Sequence, residues 1–277
     1  MSPAVIALAL TAALLHATWN AALRSGADRL SFVTAMAYAT TAIAIPVVLL
    51  LPLPLPGCWL YLLLSAALQV VYIIFLAQAY RYGELGQVYP VVRGSVPLLV
   101  TAGGFVLAGQ RLTAAALLGV GLISLGIISL ALGRGRGERK SLSLALLAAL
   151  FVASYVMADA LGVRLAGNPQ SYAAWNFLAY GALLPVAFRL LRGGMALKLP
   201  ARETLKAVAA GILSFGSYAA IITAFAIGNV GSITALRETS IVFSALIGRV
   251  LLGEALTVQR ILVCLTVTLG AVCIGYS

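Results

Sequence analysis

Apolar runs long enough to cross a membrane follow one another along nearly the whole chain, and they decide what it can fold into. The runs extend from Pro3 to Leu23, Leu30 to Leu51, Cys58 to Tyr80, Gly86 to Ala108 and Leu112 to Leu132. After a polar break at Gly133 to Ser141 they continue from Leu142 to Val163, Ser171 to Leu191, Ala207 to Ile227, Gly231 to Leu252 and Thr257 to Tyr276. A spanning helix takes roughly 20 apolar residues, so ten such runs use about three quarters of the 277 residues and leave only short loops. No length remains for a soluble catalytic domain. The chain is 62% apolar and 9% charged, against about 45–50% and about 25% in soluble domains, which excludes a soluble globular fold. A membrane barrel would alternate apolar and polar residues in segments of about 10, whereas these runs are continuous. The expected fold is an all-α integral membrane protein with ten transmembrane helices.

The first run lacks a preceding basic stretch, and its nearest cations, Arg24 and Arg29, follow it. It is therefore read as a retained span rather than a cleavable signal peptide.

The two halves resemble each other. Gly83, Gly86, Arg93, Gly109, Leu112, Thr113 and Gly126 align with Gly228, Gly231, Arg237, Gly253, Leu256, Thr257 and Gly270, with one indel before the arginines. The expected organisation is a first five-helix repeat at residues 1–132, a polar linker at 133–141 and a second five-helix repeat at 142–277. An odd number of helices per repeat makes the second copy enter the membrane from the opposite side, so the repeats are inverted, an architecture common among secondary transporters.

The formal charge of +11 would point to nucleic acid in a soluble protein. In a membrane protein the same excess marks the cytoplasmic loops. Fourteen cations fall on one side, from Arg24 and Arg29 through Arg81, the Arg134–Lys140 group and the Arg189–Lys206 group to Arg249 and Arg260; only Arg111 and Arg164 fall on the other. With an even number of spans this places both termini outside, in the periplasm. Cys58, Cys264 and Cys273 lack metal-ligand spacing, and His16 is the sole histidine, so no metal or cofactor is expected.

Polar residues recur at helical spacing within the runs. Arg93 and Arg237 lie about seven residues inside spans four and nine, roughly 10 Å deep. An arginine at that depth costs about 2.5–3.5 kcal/mol on insertion scales and faces a cavity or a partner. Pro90 and Pro97 flank Arg93 and release backbone carbonyls, which marks a helix kink beside the guanidinium. Asp159, at a depth close to that of Arg237, is expected to pair with it, while Glu238 is turned about 100° away from Arg237. Either carboxylate could instead carry a proton. Further candidates for substrate binding or gating are His16, Trp19 and Asn20 in span one, Tyr38 in span two, Gln69 and Tyr72 in span three and Tyr89 in span four; Tyr155, Asn176 and Tyr218 join them from spans six to eight. Core packing or an interfacial aromatic belt accounts for some of these equally well. Gly119, Gly121 and Gly126 suit close helix packing.

Three stretches carry a family resemblance: Leu15-His16-Ala17-Thr18-Trp19-Asn20, Ala79 through Tyr89-Pro90-Val91-Val92-Arg93-Gly94, and Leu236-Arg237-Glu238-Thr239-Ser240. They resemble the EamA branch of the drug/metabolite transporter superfamily along the whole chain. The resemblance implies an inner-membrane carrier, often an exporter of amino acids or other small metabolites, with a cavity between helices one to four and six to nine. It also implies cytoplasmic termini, opposite to the charge count. In this chain Gly109 is followed by Gln110, where an acidic residue is frequent in the family.

The reading that follows is a secondary transporter, an exporter of a small polar organic metabolite such as an amino acid or related anion or zwitterion, working by alternating access. No Walker-type phosphate loop is present, so protons or a counter-substrate would supply the drive. The partners expected are the lipid bilayer and the small-molecule substrate, not nucleic acid; the oligomeric state is open and compatible with a monomer. A channel or structural membrane partner is the alternative. A membrane-embedded lipid-modifying enzyme ranks below it, because one histidine and two intramembrane carboxylates supply little chemistry.

Overall fold

The computed structural model describes residues 1–24, 29–131, 139–192, 199–253 and 256–277. Residues 132–138, most of the expected polar linker, lie outside the described residues. Among the described residues the chain is helical without strands: α1 (Pro3–Arg24), α2 (Arg29–Leu50), α3 (Trp59–Tyr82), α4 (Leu85–Ala108), α5 (Ala114–Ser129), α6 (Arg139–Leu165), α7 (Pro169–Arg192), α8 (Ala201–Ile227), α9 (Val230–Arg237), α10 (Ser240–Leu252) and α11 (Val258–Gly275). A single 3₁₀ turn, Pro56–Cys58, leads into α3.

Eight helices are long and apolar enough to cross a membrane, with α9 and α10 counted together as Val230–Val250. Ten were expected; α5 and α7 occupy the remaining two places. The 16 residues of α5 reach only about 24 Å at 1.5 Å per residue. Its start is set by Thr113, whose side chain accepts a hydrogen bond from the Ala116 N–H at 3.1 Å. The aligned Thr257 caps α11 in the same way through the Arg260 N–H. Ahead of each threonine, a glycine in the left-handed conformation ends the preceding helix, Gly109 at φ 59° and Gly253 at φ 67°. The matched Gly…Leu-Thr segments are therefore stop-and-start units: glycine accepts positive φ without a Cβ penalty, and threonine satisfies an orphan N–H of the next helix.

Packing runs between the halves as much as within them. α1 lies against α8, α3 against α6, α5 against α11, and α2 against α7 and α8. Small residues set the closest crossings. A Cβ on Gly119 would sit 2.5 Å from the Gly270 carbonyl oxygen, and one on Gly270 would sit 2.7 Å from the Gly119 carbonyl oxygen, so α5 and α11 touch backbone to backbone. Gly126 meets Thr266 on the same interface. Gly121, expected to pack likewise, has nothing within 4 Å of its would-be Cβ; it sits on the outer face of α5.

Candidate functional site

A helix break lies in the counterpart of span four. α4 runs unbroken from Leu85 to Ala108 through Pro90 and Pro97, whereas the ninth run is interrupted between α9 and α10 with no proline present. The backbone there tightens into i→i+3 bonds, Glu238 N–H to Ala235 O at 2.9 Å and Thr239 N–H to Leu236 O at 3.1 Å. The Thr239 hydroxyl donates to the same Leu236 carbonyl at 2.7 Å, competing with the regular ladder. α4 stays helical even though Pro97 leaves the Arg93 carbonyl without its usual donor.

Around this break the two intramembrane arginines meet. Arg93 Nη2 lies 3.1 Å from His16 Nε2, and Arg237 Nη2 lies 3.4 Å from His16 Nδ1. Side chains entering from opposite ends of the bundle thus converge on one imidazole of α1. Arg93 Nε also approaches Glu238 Oε2 at 3.0 Å, close enough for an ion pair but poorly aligned for a hydrogen bond, since neither atom finds a bonding partner. Glu238 and His16 are almost fully buried. Trp19 packs edge-on against His16 with ring centroids 4.8 Å apart, and Asn20 bonds back to the His16 carbonyl at 2.7 Å.

A second cluster surrounds Asp159, which is 1% exposed. Tyr172 donates to Oδ1 at 3.1 Å, Tyr218 to Oδ2 at 2.9 Å, and the Asn176 amide approaches Oδ1 at 3.5 Å. Gln69 extends the network by donating to Asn176 Oδ1 and to Ser65 Oγ, both at 3.1 Å. Tyr72 and Tyr155 face each other between the clusters with centroids 6.3 Å apart.

The expected Asp159–Arg237 pair does not form among the described residues. Three neutral donors take the Asp159 carboxylate, and Glu238, one residue beyond Arg237, turns instead to Arg93. The 100° offset that removed Glu238 as a partner for Arg237 is what aims it across at α4. Tyr38 and Tyr89 are half-buried on α2 and α4 and take no part in these bonds. Tyr172, four residues before Asn176 on the same helical face, is fully buried against Asp159.

Sequence reasoning also missed a polar seam at the end of the bundle that holds the chain termini. Arg164, read only as a topology charge, donates to the Phe225 carbonyl at 3.1 Å and the Gly228 carbonyl at 2.7 Å, closing the C-terminal end of α8. Gln110 accepts from the Val230 N–H at 3.1 Å, so the residue in the place of the family's acidic one caps α9 from the other half of the chain. Asn229 accepts from the Ser232 N–H.

Apolar helices bundled around a buried, charged, two-part site suit an integral membrane protein, and comparison with known proteins gives its class. Residues 139–276 match the EamA-like transporter family, and the chain belongs to that family, within the drug/metabolite transporter superfamily, through its second half. One solved crystal structure is 22% identical, with 99% of this chain and 96% of its own covered at a TM-score of 0.78; that likeness shows the fold. No curated protein matches the chain.

Proposed function

We propose that the protein is a secondary transporter, not an enzyme, which exports a small polar organic metabolite, an amino acid or a related anion or zwitterion, by alternating access across a bacterial inner membrane. The observation that carries this reading is the convergence of Arg93, Arg237, His16 and Glu238 at a broken helix, beside a separately bonded Asp159. Charges buried at such depth mark a substrate or ion pathway, and a discontinuous helix is the usual way to build one. A guanidinium in this cluster offers planar donors to a carboxylate or phosphonate, while Asp159 offers a counter-charge to an amine. Protons or a counter-substrate drive the cycle.

Two five-helix repeats, 1–132 and 142–277, related by inversion, fit the packing. Exchanging α1 with α6, α2 with α7, α3 with α8, α4 with α9–α10 and α5 with α11 maps the most extensive contacts onto one another, while those of α8 with α6 and α7 have no comparable counterpart. The α1–α8 contact becomes α3–α6, and that of α4 with α6 becomes that of α1 with α9 and α10. Burial differs between the two ends of the site. Residues 68–78 of α3 and 241–245 of α10 have no buried face, whereas 156–160 of α6, 171–174 of α7 and 230–236 of α9 are buried throughout. This supports a conformation closed toward the termini and entered from the cation-rich end, which the loop-charge rule assigns to the cytoplasm.

A thermal-shift screen of the purified protein tests the substrate class, because a ligand stabilises the state it binds. Amino acids or phosphonates are expected to raise the melting temperature; a response confined to sugars or to quaternary amines would refute the class proposed.

A further inference from the structure

The two arginines are not equivalent. An imidazole carries at most one nitrogen lone pair available as an acceptor, so at most one of the two guanidiniums facing His16 is bonded to it. Arg93 holds the shorter contact, at 3.1 Å, and also has the Glu238 carboxylate at 3.0 Å. Arg237 has the longer contact, 3.4 Å, and no carboxylate within ion-pair distance among the described residues, so its buried Nε, which like that of Arg93 lacks a hydrogen-bond partner, has no counter-charge beside it. With Nε2 accepting from Arg93, the Nδ1–H of His16 points at the Arg237 donor, and two donors confront each other. Leaving a buried guanidinium short of acceptors is costly.

A further donor stands idle nearby. Thr234 lies three residues before Arg237, hence on the neighbouring surface of the same helix; it is 3% exposed, and its hydroxyl has no partner. On the same stretch of α9, a guanidinium and a hydroxyl thus both lack acceptors, and the helix break follows immediately.

Resting on the transporter reading above, we propose that Arg237, assisted by Thr234, is the seat for the anionic group of the substrate, a carboxylate or phosphonate, while Arg93 is a strut committed to Glu238 and His16. The incoming anion supplies the acceptors that Arg237 lacks and ends the donor–donor confrontation at His16. The substrate group is small and carries its charge on two or more coplanar or tetrahedral oxygens, which the planar fork of arginine grips through paired bonds.

The test is calorimetric titration of the detergent-purified full chain with the common amino acids one at a time, and with acetate, benzoate and methylphosphonate as anions lacking an amine. Wild type is expected to bind at least one of these anions. Arg237→Lys keeps charge but loses the fork and is expected to weaken that binding about tenfold; Arg237→Gln is expected to abolish it, and Thr234→Val to weaken it less than either. Arg93→Gln strands Glu238, so the comparison variant is the double R93Q/E238Q, which removes the strut without leaving a lone charge and is expected to weaken anion binding less than Arg237→Gln does. Anion binding that survives Arg237→Gln, or is lost in R93Q/E238Q and kept in Arg237→Gln, overturns the assignment. Wild type that binds no carboxylate or phosphonate overturns it too. Substrate exchange measured separately in proteoliposomes tells the two readings apart: exchange of amines or sugars alone refutes the anion seat and leaves a transporter, while absence of any exchange refutes transport.

Discussion

At the scale of single residues, the stability of the site turns on which charges compensate each other. Arg93 and Glu238 bridge α4 to the break after α9, so removing one leaves the other buried and uncompensated, which typically costs about 3–5 kcal/mol. Arg93→Gln and Glu238→Gln are each expected to lower the melting temperature more than the double variant does; additive losses in the double-mutant cycle would show two independent residues. Asp159 behaves differently because its partners are neutral. Asp159→Ala strands the hydroxyls of Tyr172 and Tyr218 and is expected to cost about 1–3 kcal/mol, whereas Asp159→Asn keeps an acceptor and costs less. Equal melting temperatures for these two variants would contradict the hydrogen-bonded role. The sequence made Arg93, Arg237, His16 and Asp159 visible because a charge or imidazole in an apolar run is conspicuous. It hid who pairs with whom, since depth alone cannot distinguish Glu238 reaching α4 from Asp159 reaching α9.

Among elements, the helix boundaries were legible where local chemistry writes them. Gly109 with Thr113 and Gly253 with Thr257 stop one helix and start the next, and the sequence shows both. The break between α9 and α10 was not legible, because nothing in Arg237-Glu238-Thr239 forbids a helix. The α5–α11 crossing gives a sharp contrast between two glycines two residues apart. Gly119→Ala drives a Cβ to 2.5 Å from the Gly270 carbonyl oxygen and is expected to destabilise the protein. Gly121→Ala meets open space and is expected to be neutral or stabilising by up to about 1 kcal/mol through helix propensity. Thermal unfolding of the two variants checks this; a stable Gly119→Ala would mean that the two helices are not in backbone contact.

Over the whole molecule, the all-helical membrane fold was legible from run length alone, and the helix order in the structure follows the runs. The depth of burial at each end of the site was not, because a residue half-exposed to lipid and one lining an opening read alike in sequence. Both ends of the chain lie together, with the Met1 amine bonded to the Ser277 carbonyl oxygen at 2.6 Å. The orientation proposed from loop charge has that end in the periplasm. A C-terminal alkaline phosphatase fusion is expected to be active and a fluorescent-protein fusion dark; the opposite pattern would place the termini in the cytoplasm and turn the closed end of the site inward.

Transport of a small charged or zwitterionic metabolite through the Arg93–His16–Arg237 site is the central claim, and counterflow in proteoliposomes measures it most directly. Vesicles holding the purified protein and preloaded with unlabelled amino acids are expected to accumulate external labelled amino acid without ATP, with accumulation falling sharply in Arg237→Gln. No accumulation of any amino acid or phosphonate, alongside exchange of sugars or quaternary amines at the same rate in wild type and Arg237→Gln, would contradict it.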